Sequence, residues 1–238
     1  MVKKLERRTA LITGANRGIG LAIARAYARE GARCVLAGRN TAALERVATE
    51  IGDAAVLTMD LSEPDSIRAA VDSVAASHRA VDVFVGNAAT LGARVPLAGY
   101  PFHVWLASFQ TNVHANLLLL QALDPLLREA DAGRVIFVTS GVARTPTPGS
   151  GSYAITKAAL EAMAALYAAE VAGTRIRVNT VSPGPTRTAM RAQLMPLEDP
   201  MTLKSPDEIA PLFVELASSG CTRHGEWIDA QSWLKERR

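Results

Sequence analysis

The chain has 238 residues, 49% of them apolar and 21% charged, with 26 Lys and Arg against 23 Asp and Glu for a net charge of +3. Such a composition excludes disorder and collagen-like order. Two cysteines, Cys34 and Cys221, are too few for a disulfide framework or a zinc site, and 5% aromatics with so small a positive excess give no patch for nucleic acid.

Short apolar runs bounded by turn residues read as strands, and longer runs with apolar residues three and four apart read as helices. Residues 9–13 form the first strand. Residues 19–29 form a helix, with Gly31 where a C-cap would sit. A strand over 33–37, a helix over 41–51 and a strand over 54–59 follow. Pro64 opens a helix that runs towards Ser77. The fourth strand covers 81–85. Residues 101–130 are helical, with Pro125 expected to kink or divide them. A strand over 134–139, an alanine-rich helix over 152–172, a strand over 175–181, a helix over 206–218 and a short strand over 226–229 complete the order.

Continuous apolar strands are buried on both faces, and alternation with helices implies right-handed crossovers. The predicted class is therefore α/β: one domain, 1–238, of Rossmann type, with a doubly wound parallel sheet of about seven strands flanked by helices. No apolar run reaches the roughly 18 to 20 residues of a membrane span. The basic N-terminus is not followed by a signal peptide, and the cysteine usage fits a reducing compartment. A cytoplasmic protein is expected.

Ligands of such sheets bind beyond the carboxyl ends of the strands. After the first strand comes Thr13-Gly14-Ala15-Asn16-Arg17-Gly18-Ile19-Gly20, opening a helix. Glycines there permit a sharp turn, close approach of a pyrophosphate and tight helix packing, while the helix N–H groups face the anion. The absence of Gly-Lys-Ser/Thr leaves a triphosphatase loop unsupported. The second strand ends Ala37-Gly38-Arg39-Asn40. An acid at that point meets a free ribose 2′-hydroxyl, and an arginine meets a 2′-phosphate. Arg39, with Arg17 approaching from the turn, favours NADP(H) over NAD(H). The other reading of Arg39 is a solvated helix start. Asp60, ending the third strand, is placed to meet an adenine edge or to cap the next helix.

Tyr153-Ala154-Ile155-Thr156-Lys157 puts a phenol and an ammonium on one helix face. A neighbouring ammonium lowers a phenol's pKa and makes it a usable proton donor to a carbonyl. Ser140, just past the fifth strand, offers a hydroxyl to the same oxygen.

With these residues in view, the sequence resembles the short-chain dehydrogenase/reductase family over essentially its whole length. The matching motifs are Thr13-Gly14-x-x-x-Gly18-Ile19-Gly20, Asn112 in Thr-Asn-Val, Ser140 in Val-Thr-Ser, Tyr153 with Lys157, and Pro183-Gly184 with Thr188. The resemblance implies a catalytic tetrad of Asn112, Ser140, Tyr153 and Lys157. Tyr153 would be the general acid and base, Lys157 would also bind the nicotinamide ribose, and Asn112 would hold a relay water. It implies a cofactor site of Gly14, Asn16, Arg17, Gly18, Ile19 and Gly20 in the turn, Arg39, Asp60 and Leu61, Asn87 and Ala88, Tyr153 and Lys157, then Pro183, Gly184, Thr186 and Thr188. No metal is expected, and the resemblance suggests a homodimer or homotetramer.

Two departures stand out. Gly86-Asn87-Ala88-Ala89 replaces the family's usual Asn-Asn-Ala-Gly, which puts the fine geometry of the ribose site in doubt. Asp229-Ala230-Gln231 replaces the usual Asp-Gly-Gly, so the C-terminal segment is expected to pack differently. Specificity is expected from the loop 144–151, stiffened by Pro146 and Pro148, and from a lid over 189–205. Met190, Leu194, Met195, Leu197, Met201 and Leu203 of that lid would cover either an apolar substrate or the protein's own core. Arg187 and Arg191 could meet an acidic group or remain solvated. His78, His103, His114 and His224 have no ligand spacing. The reading is an NADP(H)-dependent oxidoreductase interconverting a small-molecule carbonyl and alcohol. The alternative is a dinucleotide-binding sensor or scaffold, which would have no need of the tetrad.

Overall fold

The computed structural model describes residues 3–237. Seven strands form one sheet: β1 Thr9–Thr13, β2 Arg33–Gly38, β3 Ala54–Thr58, β4 Val83–Gly86, β5 Arg134–Val138, β6 Arg177–Ser182 and β7 Glu226–Asp229. All paired neighbours run parallel, in the order β3-β2-β1-β4-β5-β6-β7. The winding reverses between β1 and β4, which opens a crevice beyond their carboxyl ends. The helices are α1 Gly18–Arg29, α2 Thr41–Ile51, α3 Pro64–Ser77, α4 Phe102–Phe109, α5 Ala115–Glu129, α6 Gly151–Glu170, α7 Ala189–Leu194, α8 Pro206–Ala217 and α9 Ala230–Lys235.

The sheet is buried on both faces because alternate residues of each central strand serve opposite cores. Ile12, Leu36, Val85 and Ile136 pack with Ile23 and Tyr27 of α1 and Phe213 of α8. Leu11, Val35, Phe84 and Phe137 pack with Ile67 of α3, Leu119 and Leu123 of α5 and Leu160 of α6. Full burial of each such side chain contributes about 1.5–3 kcal/mol.

The predicted 101–130 helix does not divide at Pro125. Its hydrogen-bond period widens at Gln110–His114, a single π turn between α4 and α5 with helical backbone on both sides. Pro125 and Gln121 both lie on the exposed face of α5. The Gln121 carbonyl that a proline at 125 leaves without a backbone partner therefore meets solvent, and the helix continues. Two further helices, α7 and α9, are six residues each and too short to show a helical period. Caps define them instead: Thr188 accepts from Arg191 N at 3.1 Å, and Asp229 accepts from Ser232 N at 2.7 Å.

Gly86 has a packing reason. A Cβ there would lie 2.5 Å from Asn116 Oδ1 and 2.6 Å from Phe137 Cδ1. The β4 turn is instead tied to β1: Thr13 Oγ1 accepts from Asn87 N at 2.9 Å and Ala88 N at 3.0 Å, and Asn87 Nδ2 donates to Thr13 O at 2.8 Å. Ala89 needs no positive φ, since Arg7 is the only non-glycine among the described residues that has one.

Candidate active site

A cleft of about 530 Å³ lies beyond the carboxyl ends of β1, β2, β4 and β5. Its wall includes Gly14, Asn16, Arg17, Gly18, Ile19, Arg39, Asp60, Leu61, Asn87, Ala88, Tyr153, Lys157, Pro183 and Thr188. Gly20, Asn112, Ser140, Gly184 and Thr186 of the expected set stand outside that wall.

The turn into α1 has the conformation its glycines allow. Gly14 and Gly18 have φ of +67° and +57°, a region that side chains disfavour. Gly20 permits a closer approach: a Cβ there would lie 2.3 Å from Gly14 O and 2.7 Å from Asn87 Nδ2. No side chain caps α1 at Arg17. Its first N–H groups therefore face the cleft unpaired, as a helix start does when it receives an anion.

At the next strand end, the Arg39 side chain is 75% exposed, with Nη1 3.9 Å from Asp60 Oδ2. Its guanidinium thus retains donors for a phosphate. Asp60 is not the cap of α3, whose N-cap is Glu63. Asp60 Oδ1 accepts from Ser62 N at 2.9 Å and Ser62 Oγ at 2.7 Å. Burial pushes its carboxyl up, but the Ser62 donors and the Arg39 charge outweigh it, so the pKa lies below the usual value.

Tyr153 and Lys157 project from adjacent turns of α6. Lys157 is 2% exposed, its Nζ donating to Val138 O at 2.7 Å and lying 5.8 Å from the Tyr153 ring centre. Burial pulls its pKa down to about 8. Burial also raises the Tyr153 phenol above its ordinary value, and the Ser140 hydroxyl beside it draws it partly back. Desolvation is thus the largest influence on the resting phenol.

Asn112 is fully buried in the π turn. Its Oδ1 accepts from Thr90 N at 2.8 Å, and its Nδ2 donates to Thr90 O at 2.9 Å and Thr156 Oγ1 at 3.0 Å. The side chain therefore clamps the strap between β4 and α4 to the helix that carries Lys157. A second clamp was not legible in the sequence. Ala93 N donates to Tyr100 Oη at 2.7 Å; Tyr100 Oη and Ser152 Oγ are 2.7 Å apart, and Ser152 donates to Ser108 Oγ at 2.7 Å. Ser108 in turn donates to Val104 O at 2.7 Å. This chain of hydroxyls ties the strap to α6 at the residue before Tyr153. Glu161 makes a third tie, accepting from Thr139 Oγ1 at 2.6 Å, Trp227 Nε1 at 2.9 Å and Arg144 Nε at 2.9 Å.

In the lid, only Met190 of the six named apolar residues lines the cleft. Leu197 and Met201 are 100% and 74% exposed, so they cover neither the cleft nor a core. Arg191 is bound within the lid, its Nε and Nη2 each 2.6 Å from Glu198 carboxylate oxygens. Arg187 Nη1 lies 3.1 Å from Met201 Sδ. The structure thus brings neither arginine to the cleft wall. Thr90, Ala107 and Thr111 do reach it, unforeseen; the four-residue spacing of Ala107 and Thr111 was the one available signal.

Among the described residues, no three His, Cys, Asp or Glu side chains gather to hold a metal ion. No described helix is long and apolar enough to cross a membrane.

The profile of the short chain dehydrogenase family matches residues 8–199. The "Uncharacterized oxidoreductase YciK" of Escherichia coli strain K12 is 38% identical over 97% of this chain and 94% of that protein. The "NADPH-dependent aldehyde reductase-like protein, chloroplastic" of Arabidopsis thaliana is 33% identical over 95% of this chain and 92% of its own length. A crystal structure of a short chain dehydrogenase from Shigella flexneri 2a strain 301, complexed with NADP, superposes with a TM-score of 0.93 at 37% identity, covering 97% of this chain and 100% of that one.

Proposed function

The chain belongs to the short-chain dehydrogenase family, and from that premise we propose that it is an NADP(H)-dependent oxidoreductase interconverting a carbonyl and an alcohol. One observation carries the reading: a single cleft is lined at one end by the uncapped glycine turn with Arg17 and Arg39, and at the other by Tyr153 and Lys157. The relatives that carry NADP or are named for NADPH support the choice of cofactor.

In this reading the N–H groups of the turn at Gly14–Gly18 would hold the pyrophosphate, and Arg17 and Arg39 would hold the 2′-phosphate. When bound, the nicotinamide supplies or accepts the hydride. The protein's own residues hold the carbonyl and move the proton. Burial keeps the Tyr153 phenol protonated at rest, the form that a proton donor to a reduced carbonyl requires. Ser140 donates to the same oxygen and opposes the charge that develops there. Lys157, still mostly cationic at neutral pH with a pKa of about 8, stabilises the phenolate that remains. Asn112 holds the helix bearing both groups to the strap at Thr90.

We also propose a homo-oligomer. Phe102 and Leu106 on α4, Leu117 on α5 and Leu166 on α6 are exposed apolar side chains, 70%, 52%, 41% and 63% accessible, of the kind that a second copy would cover. Light scattering of the purified protein tests this, and a monomer rejects it.

The activity is tested by NADPH oxidation over a panel of ketones, aldehydes, quinones and 3-oxoacyl thioesters. Turnover with at least one carbonyl class is expected. Saturable NADPH binding with no turnover on any of them would instead identify a dinucleotide sensor.

A further inference from the structure

One side chain outside the cleft chemistry reaches the cleft wall from behind. Gln231, in the first turn of α9, donates from Nε2 to Pro183 O at 2.7 Å. Pro183 lines the cleft beside Tyr153 and Lys157. The next residue, Gly184, has φ of +67°, and a Cβ on it would lie 2.4 Å from Gln231 Cγ and 3.1 Å from Gln231 Nε2. Gln231 thus occupies the space over the glycine, and no side chain at 184 fits beneath it. Thr186 Oγ1 closes the turn from inside, lying 3.3 Å from Pro183 O and 3.2 Å from Gly184 O.

The support is itself anchored. Asp229 caps α9, and Ala230 and Trp233 are buried in the core that α1 and α8 share. Arg237 stacks on Trp233 at 4.2 Å and pairs with Glu215 of α8. A hydrogen bond from a fixed helix restricts the turn more than one from a mobile side chain, because little rotamer freedom remains to be lost.

We propose that Gln231 is a positioning residue for the nicotinamide end of the cofactor. Holding the Pro183–Gly184 turn against α9, it fixes Pro183 in the cleft wall and makes no bond to Arg17, Arg39 or Asp60 at the adenosine end. The inference rests on the cofactor reading above.

The test compares two probes by equilibrium titration of the purified protein: NADPH, which fills both ends, and adenosine 2′,5′-bisphosphate, which fills the adenosine end alone. Gln231→Met keeps a similar apolar volume and removes the donor. Its NADPH dissociation constant is expected to rise about threefold to tenfold, the weight of one hydrogen bond. Its affinity for the bisphosphate should match the wild type. Gln231→Gly, which cannot clash with Gly184, is the second variant and should show the same split. Equal weakening of both probes, or NADPH affinity unchanged in both variants, would overturn the role of Gln231. A wild type that binds the bisphosphate no better than adenosine, and NADPH not at all, would overturn the cofactor reading and this inference with it.

Discussion

The two ends of the cleft are built by different means. The adenosine end is local and made of backbone. Gly14, Gly18 and Gly20 shape one turn between β1 and α1, and Arg39 and Asp60 follow directly from the ends of β2 and β3. The reaction end is assembled by side chains from distant segments. Asn112 joins Thr90 to Thr156, Tyr100 joins Ala93 to Ser152, Lys157 reaches Val138, and Gln231 reaches Pro183. Binding an anion needs N–H groups pointing one way, which a helix start with glycines supplies unaided. Proton transfer needs the donor within hydrogen-bond reach of the reacting oxygen, and misplacement of about 1 Å can cost on the order of a hundredfold in rate. That tolerance explains why several independent ties converge on the first turns of α6.

If the two ends are separable, the largest effect should fall on one alone. Tyr153→Phe removes the proposed proton donor and leaves the adenosine end intact. Turnover is expected to fall about 10²- to 10⁴-fold, with the NADPH dissociation constant within about twofold of the wild type. Steady-state kinetics with a reducible carbonyl and a binding titration measure both. Wild-type-like turnover would remove Tyr153 from the mechanism, and a parallel loss of NADPH binding would show that the ends are not separable.

The reaction end also carries a stability cost that the exposed arginine end does not. Lys157 has a folded-state pKa of about 8, below the roughly 10.4 of a free lysine. Between these values the unfolded chain binds more protons than the folded one, so this contribution to stability rises with pH from 8 to 10.4. Below pH 8 the full penalty for burying the charge applies, on the order of 3 kcal/mol at 1.36 kcal/mol per pKa unit. Lys157→Met removes the penalty together with the bond to Val138. The difference in unfolding free energy, variant minus wild type, is therefore expected to be most positive near pH 7 and to fall as pH rises towards 10. Denaturant melts at several pH values read it. A difference independent of pH would mean that Lys157 is not buried as a charge.

The same contrast decides what the sequence could disclose. Strands and helices were legible because their periods are local, and the glycine turn and Arg39 were legible because they follow directly from strand ends. Tyr153 and Lys157 share a helix face, so their spacing identified them. The misjudged features all depend on what surrounds a residue. Pro125 looked like a helix breaker, yet its exposure, which spacing does not encode, lets the helix pass. Leu197 and Met201 looked like cover for something apolar and are exposed. Tyr100, Glu161 and Gln231 left no signal, since each meets partners far along the chain at no characteristic spacing. The departure at Gln231 from the family's glycine was visible, but the carbonyl it serves was not.

Arg39→Ala probes the other end with a smaller effect. It removes one proposed charge-assisted partner of the 2′-phosphate, in a side chain that solvent largely screens. NADPH binding should weaken about tenfold and NADH binding by less than about twofold. Equal changes in both would take the phosphate role from Arg39.

The smallest effect is expected in the lid, where Arg191 and Glu198 form a bidentate pair about a quarter exposed. The pair joins two points of the lid to each other and not to the sheet, so the global thermal midpoint of Arg191→Met should equal that of the wild type. A looser lid is expected to raise the carbonyl Michaelis constant by on the order of threefold, in keeping with the low worth of solvated ion pairs, and to leave the NADPH dissociation constant unchanged. Its hydrogen bond to Glu198 raises the arginine's pKa, and the bond from Arg191 holds the glutamate below its usual value. Both groups thus remain charged from about pH 5 to 9. The ratio of Michaelis constants, variant over wild type, should accordingly be flat across that window and shrink with added salt, which already screens the wild-type pair. A ratio that instead changed with pH as Tyr153 or Lys157 titrates would place Arg191 in the reaction end itself.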